Sequence, residues 1–90
     1  MAEIRVRVGS AVGLHARPAA MVAQEAAKLA TAVRLGRDGA TAVDARSVLS
    51  ILTLDARQGD ELVLSAEGPN AEAALAALAS VIERDLDAEQ

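Results

Sequence analysis

The sequence contains no cysteine and no phenylalanine, tyrosine or tryptophan. Without cysteine there is no disulfide framework and no thiolate nucleophile, and a single histidine cannot by itself build an ordinary zinc centre. Without aromatic rings the chain lacks the stacking platform on which single-stranded bases are held. Positive charge is also scarce: nine Lys and Arg stand against thirteen Asp and Glu, a net charge of -4 that opposes condensation onto phosphate backbones or anionic lipid. No apolar run approaches the ~20 residues of a membrane-spanning helix, and the opening MAEIRVRV alternates charged and apolar side chains instead of forming a leader core. The expectation is a cytoplasmic protein without metal or cofactor, engaging neither nucleic acid nor membrane.

What remains is an aliphatic chain. Hydrophobic residues make up 52% of the 90 positions, enough for one core of Val, Leu, Ile and Ala. A single domain over residues 1–90 is expected, with little room for a deep substrate chamber.

Ile4, Val6 and Val8 alternate with Glu3, Arg5 and Arg7, the pattern of a strand with one wet face. From Ala16 to about Ala30, Arg17, Gln24, Glu25 and Lys28 gather on one arc of a helix and leave the rest to Ala19, Val22, Ala23, Ala26, Leu29 and Ala30. Val33 and Leu35 suggest a second strand, and Asp38-Gly39 turns the chain into a third around Thr41 to Asp44. Hydroxyls at Ser47, Ser50 and Thr53 favour a short helix over Ser47 to Leu54, capped by Ser47. Glu61 to Glu67 reads as a fourth strand with Leu62, Leu64 and Ala66 inward. Asn70 is placed to cap a final helix with Leu75, Leu78, Ile82 and Leu86 on its buried stripe, and Asp85, Asp87 and Glu89 trail into an acidic end. The order β-α-β-β-α-β-α predicts an α+β open-faced sandwich, a four-stranded antiparallel sheet with three helices on one face.

The only histidine lies in Gly13-Leu14-His15-Ala16-Arg17-Pro18-Ala19-Ala20. A lone histidine in a loop is usually a surface residue or a cap. Here Pro18 occupies the first helical turn, where its missing N–H costs nothing, so His15 falls at the N-cap and Arg17 just inside. A helix start presents free N–H groups and a positive potential to an anion, and Arg17 adds a planar cationic fork suited to phosphate oxygens. A neutral ring beside an empty phosphate site is a nucleophile for a phosphoryl group. No G-x-S-x-G string supports a Ser-His hydrolase, and no Gly-Lys-Ser/Thr follows Gly9 and Gly13 to make a nucleotide loop. Gly13 serves more simply as a turn residue.

Gly13-Leu14-His15-Ala16-Arg17-Pro18-Ala19, with Arg46-Ser47 opening a later apolar helix, resembles the HPr family of histidine-containing phosphocarriers of the bacterial phosphoenolpyruvate:sugar phosphotransferase system. The resemblance covers essentially the full chain. It implies that His15 accepts a phosphoryl group on Nδ1 from phosphorylated Enzyme I and passes it to EIIA proteins or domains. It also implies that Arg17 and the backbone N–H groups of Ala16 and Arg17 coordinate the phosphate, and that the chain is a monomeric carrier rather than an enzyme. By the same resemblance Ser47 corresponds to a serine modified by an HPr kinase/phosphorylase. Between Gly39 and Ser47 the chain is one residue longer than the common family pattern, which bears on recognition by such a kinase. Val12 departs from the polar residue that many relatives carry there.

In the second helix Val48, Leu49 and Leu52 lie roughly opposite Ile51 and Leu54, and a helix packed on a sheet cannot bury both sets. By similarity to the family, Met21, Val48, Leu49 and Leu52 are expected to form an apolar docking patch near His15 for both Enzyme I and EIIA. Two alternatives stay open on the sequence: a regulatory interaction module of the same fold, and a carrier serving a nitrogen-related or dihydroxyacetone-kinase-related branch.

Overall fold

The computed structural model describes residues 2–84. Alternation at the start of the chain forms β1 (Ala2–Arg7), with Val6 buried and Glu3, Arg5 and Arg7 exposed. Helix α1 (Ala16–Ala27) buries Pro18, Ala19, Val22, Ala23 and Ala26, the three-and-four spacing of a single helical face. A hairpin of β2 (Val33–Gly36) and β3 (Val43–Asp44) leads to α2 (Val48–Leu52), β4 (Glu61–Ala66) and α3 (Ala71–Glu83).

The strands are ordered β1-β4-β2-β3 and every neighbouring pair is antiparallel. Leu64 lies at the centre of the ladder, opposite Ile4 on one side and Leu35 on the other. Val6, Val33, Leu35, Leu62 and Leu64 share one buried cluster with Val22 of α1, Ile51 of α2, and Leu75, Leu78 and Ile82 of α3, so the helices cover one face of the sheet. The other face is charged: Arg5 bonds Glu61 at 3.1 Å and pairs with Asp38 at 3.3 Å. This is the α+β open-faced sandwich that the element order predicts.

Several boundaries differ from the expectation. Helix α1 stops at Ala27, because the Lys28 and Leu29 N–H groups reach back only three residues, to Glu25 and Ala26, and tighten the last turn. Strand β3 is two residues long: the Ala40 N–H closes a turn on the Arg37 carbonyl, and Thr41 and Ala42 then pass against Gly36 outside the ladder. Helix α2 is also shorter than expected, so Leu54 lies beyond its end. Asn70 occupies the N-cap of α3, but its side chain makes no capping bond, and its ψ of 17° is not the extended value that capping geometry uses. The expectations for Asp85, Leu86, Asp87 and Glu89 lie outside the described residues.

Candidate functional site

The segment from Val8 to Leu14 is fastened to the body by backbone bonds. Val8 N–H donates to Asp60 at 3.0 Å, Gly9 N–H to Ile82 at 3.0 Å, and Leu14 N–H to Ala56 at 2.9 Å. Gly13 has a φ of 73°, and a Cβ there would overlap the Ala56 carbonyl and come within 2.8 Å of the Arg57 Cα. At Gly9 a Cβ would overlap the Glu83 carbonyl. Both glycines therefore permit close backbone approach, one to the α2–β4 connection and the other to the end of α3. Leu14 is sunk in the core, and His15 directly after it is exposed.

His15 is the N-cap of α1, with extended backbone (φ -81°, ψ -169°), and its side chain makes no capping hydrogen bond. Its carbonyl receives the Ala19 N–H at 2.8 Å, so the residue is held by its backbone while its ring is left free. Pro18 has no N–H to offer, which leaves Ala16 and Arg17 as the open donors of the first turn. That turn carries no acidic residue to offset the positive end of the helix dipole. Arg17 is exposed, and its guanidinium has no acceptor among the described residues, whereas Arg5, Arg37 and Arg46 are all paired with carboxylates. Imidazole, two open backbone N–H groups and an uncommitted guanidinium thus belong to three consecutive exposed residues at one helix start, groups of the kind that hold a small dianion. Concavities of about 370 and 470 Å³ are lined by Arg34, Asp44 and Arg46 in one case and by Arg5, Arg7 and Glu83 in the other, and neither includes His15 or Arg17.

Ser47 is the N-cap of α2, and its Oγ accepts the Ser50 N–H at 3.2 Å. The apolar residues expected beside it are divided. Leu49 is 78% exposed, whereas Val48 and Leu52, with Met21 of α1, are half-buried against the core. Ile51 is completely buried. Of the four residues expected in the docking patch, Leu49 projects furthest and Met21, Val48 and Leu52 form a half-buried base around it, since α2 packs against both α1 and β3.

Val12, already notable in the sequence as an apolar departure from the family pattern, is 50% exposed in the loop that leads to His15, where solvent would favour a polar side chain. One residue escapes the sequence reading. Arg37, in the turn after β2, is half-buried and bonds the Leu54 carbonyl, the Asp55 carbonyl and the Asp60 carboxylate. No side-chain pattern could have found Arg37, because two of its three partners are backbone atoms.

The family model for the PTS HPr component phosphorylation site matches residues 2–84. The phosphocarrier protein HPr of Streptomyces coelicolor is 41% identical over 87 residues, covering 97% of this chain and 94% of that protein. Among solved structures, HPr of Thermoanaerobacter tengcongensis superposes with a TM-score of 0.82 at 38% identity, covering 92% of each chain. HPr of Bacillus anthracis does so with a TM-score of 0.82 at 37% identity, covering 90% of this chain and 95% of the other.

Proposed function

The chain belongs to the HPr family of phosphotransferase-system phosphocarriers, and from that premise we propose that its His15 Nδ1 accepts a phosphoryl group from phosphorylated Enzyme I and passes it to an EIIA protein or domain. The observation that carries this reading is the unengaged His15 ring at an N-cap beside the unpaired Arg17. The Nδ1 lone pair forms the N–P bond as the donor's own bond to phosphorus breaks and its electron pair returns to the donor. Passing the group to EIIA reverses the same exchange, with no net oxidation. For Nδ1 to attack, the ring proton resides on Nε2.

Catalysis of such a transfer is positioning and charge stabilisation. The Ala16 and Arg17 N–H groups and the Arg17 guanidinium are suited to the equatorial phosphoryl oxygens, where charge is spread in the transition state. An exposed cap suits a carrier better than a closed pocket, because both donor and acceptor must reach the same phosphorus in turn. Leu49, with Val48, Leu52 and Met21 beneath it, supplies the docking contact. Ser47 is the regulatory site for an HPr kinase/phosphorylase: a phosphate there adds negative charge beside the docking surface and repels the phosphorylated donor. The chain works as a cytoplasmic monomer that is itself transiently phosphorylated and does not turn over substrate as an enzyme.

The test is incubation with phosphoenolpyruvate and Enzyme I. The expected result is an acid-labile mass gain of one phosphoryl group that disappears in His15→Ala. No gain under conditions that phosphorylate another HPr, or a gain surviving His15→Ala, overturns the reading.

A further inference from the structure

Arg37 lies 22 positions after His15 and touches none of the residues that would hold the phosphate. Its guanidinium is nonetheless directed into the α2–β4 connection, where Nε donates to the Leu54 carbonyl at 3.2 Å and Nη2 to the Asp55 carbonyl at 3.0 Å and to Asp60 Oδ2 at 3.0 Å. The two carbonyls it binds immediately precede that of Ala56, the group that receives the Leu14 N–H directly before His15. Asp55 sits at φ 49°, a left-handed conformation rare for residues other than glycine, and the guanidinium binds that residue's carbonyl. Asp60 completes the fastening, because the same Oδ2 also accepts the Arg57 N–H at 3.0 Å.

We infer that Arg37 is a positioning residue for phosphoryl transfer: by locking the Leu54–Asp60 connection it fixes the Ala56 carbonyl, and through Leu14 it sets the placement of the His15 ring. The role rests on the carrier reading, but its structural half does not require phosphorylation to be seen. A planar fork serving two backbone carbonyls and a carboxylate cannot be replaced by a lysine, whose ammonium is a point charge on a flexible stem.

The test compares wild type with Arg37→Met, Arg37→Lys and Asp60→Asn by amide hydrogen exchange and by steady-state kinetics as a substrate of Enzyme I. In Arg37→Met, exchange at Leu14, Arg57 and Gly59 is expected to rise about 10- to 100-fold relative to the Leu64 amide in the central strand, as loss of a charge-assisted bond at a locally opening site requires. Turnover falls while the KM for the carrier stays within about twofold, because Leu49 and its base are untouched. Arg37→Lys recovers only part of the protection, and Asp60→Asn, which leaves both carbonyl bonds in place, shows a smaller effect in the same direction. Equal acceleration at Leu14 and Leu64, or normal turnover despite a loosened Leu14, overturns the inference. If wild type is not phosphorylated at all, the carrier reading and the transfer role of Arg37 fall together, even where the exchange difference is present.

Discussion

The N–H of Leu14 donates to the carbonyl of Ala56 at 2.9 Å, so the residue before the candidate phosphoryl acceptor is tied to a segment more than forty positions away in the chain. His15 owes its exposure to local sequence, but its placement depends on this long-range bond and on the buried Leu14 side chain beside it.

Gly13→Ala tests that dependence. At φ 73° an alanine is strained, and its Cβ would overlap the Ala56 carbonyl. Left-handed strain together with the displaced carbonyl is expected to cost about 2–4 kcal/mol of stability. Phosphorylation at His15 slows even at temperatures where the variant remains folded. Denaturation followed by far-UV circular dichroism, needed because the chain has no tryptophan or tyrosine, measures the first effect. A variant as stable as wild type would show that the loop can relax away from Ala56.

Arg17→Ala is expected to leave the melting temperature nearly unchanged, since the side chain is exposed and has no acceptor among the described residues. Its effect should fall on phosphorylation, slowing acceptance by about 10- to 100-fold, the scale of one charge-assisted hydrogen bond. Arg17→Lys restores the charge without the fork and recovers part of the rate. Single-turnover transfer from phosphorylated Enzyme I reads this directly, and an unchanged rate excludes Arg17 from phosphate coordination.

The string from Gly13 to Ala20 was legible because its chemistry is local: a proline in the first turn, a cap position and a basic residue can all be placed from spacing alone. The sheet and the buried stripes of α1 and α3 were legible for the same reason, since burial follows periodicity. The anchors of the loop were not, because the acceptors at Ala56, Asp60 and Ile82 are backbone carbonyls that no side-chain pattern advertises. The exposure of α2 was read in part. Its two apolar sides were visible, but the half-burial of Val48 and Leu52 depends on how a five-residue helix fits among its neighbours.

Leu49 and Ile51 separate docking from folding within one short helix. Leu49→Glu replaces a side chain that is 78% exposed and is expected to change stability by no more than about 0.5 kcal/mol. The KM for the carrier in Enzyme I phosphorylation rises about tenfold or more, as loss of an apolar anchor at an interface would give. Ile51→Ala does the reverse: it opens a cavity at a fully buried position and costs about 2–4 kcal/mol, with little effect on KM while folded. An unchanged KM in Leu49→Glu removes Leu49 from the docking surface.

Acid should loosen the connection behind His15. The Arg57 N–H and then the Arg37 guanidinium hold the Asp60 carboxyl below the usual carboxylate range. Such a group binds its proton more readily in the unfolded chain, so it stabilises the native state above the ordinary carboxylate pKa of about 3.9 and loses that contribution as pH falls through its lowered value. Asp44, held by the Arg46 side chain and backbone, obeys the same sign. Wild type is therefore expected to lose melting temperature on acidification below about pH 4, and Asp60→Asn and Asp44→Asn should each start lower at neutral pH and decline less steeply. Only the Asp60 variant should also speed exchange at the Leu14 amide, because Asp44 braces the hairpin and the start of α2, not the Leu54–Asp60 connection. Parallel acid limbs for Asp60→Asn and wild type would mean that the Arg37–Asp60 contact adds no pH-dependent stability, leaving the two carbonyl bonds from Arg37 as its whole hold on the loop.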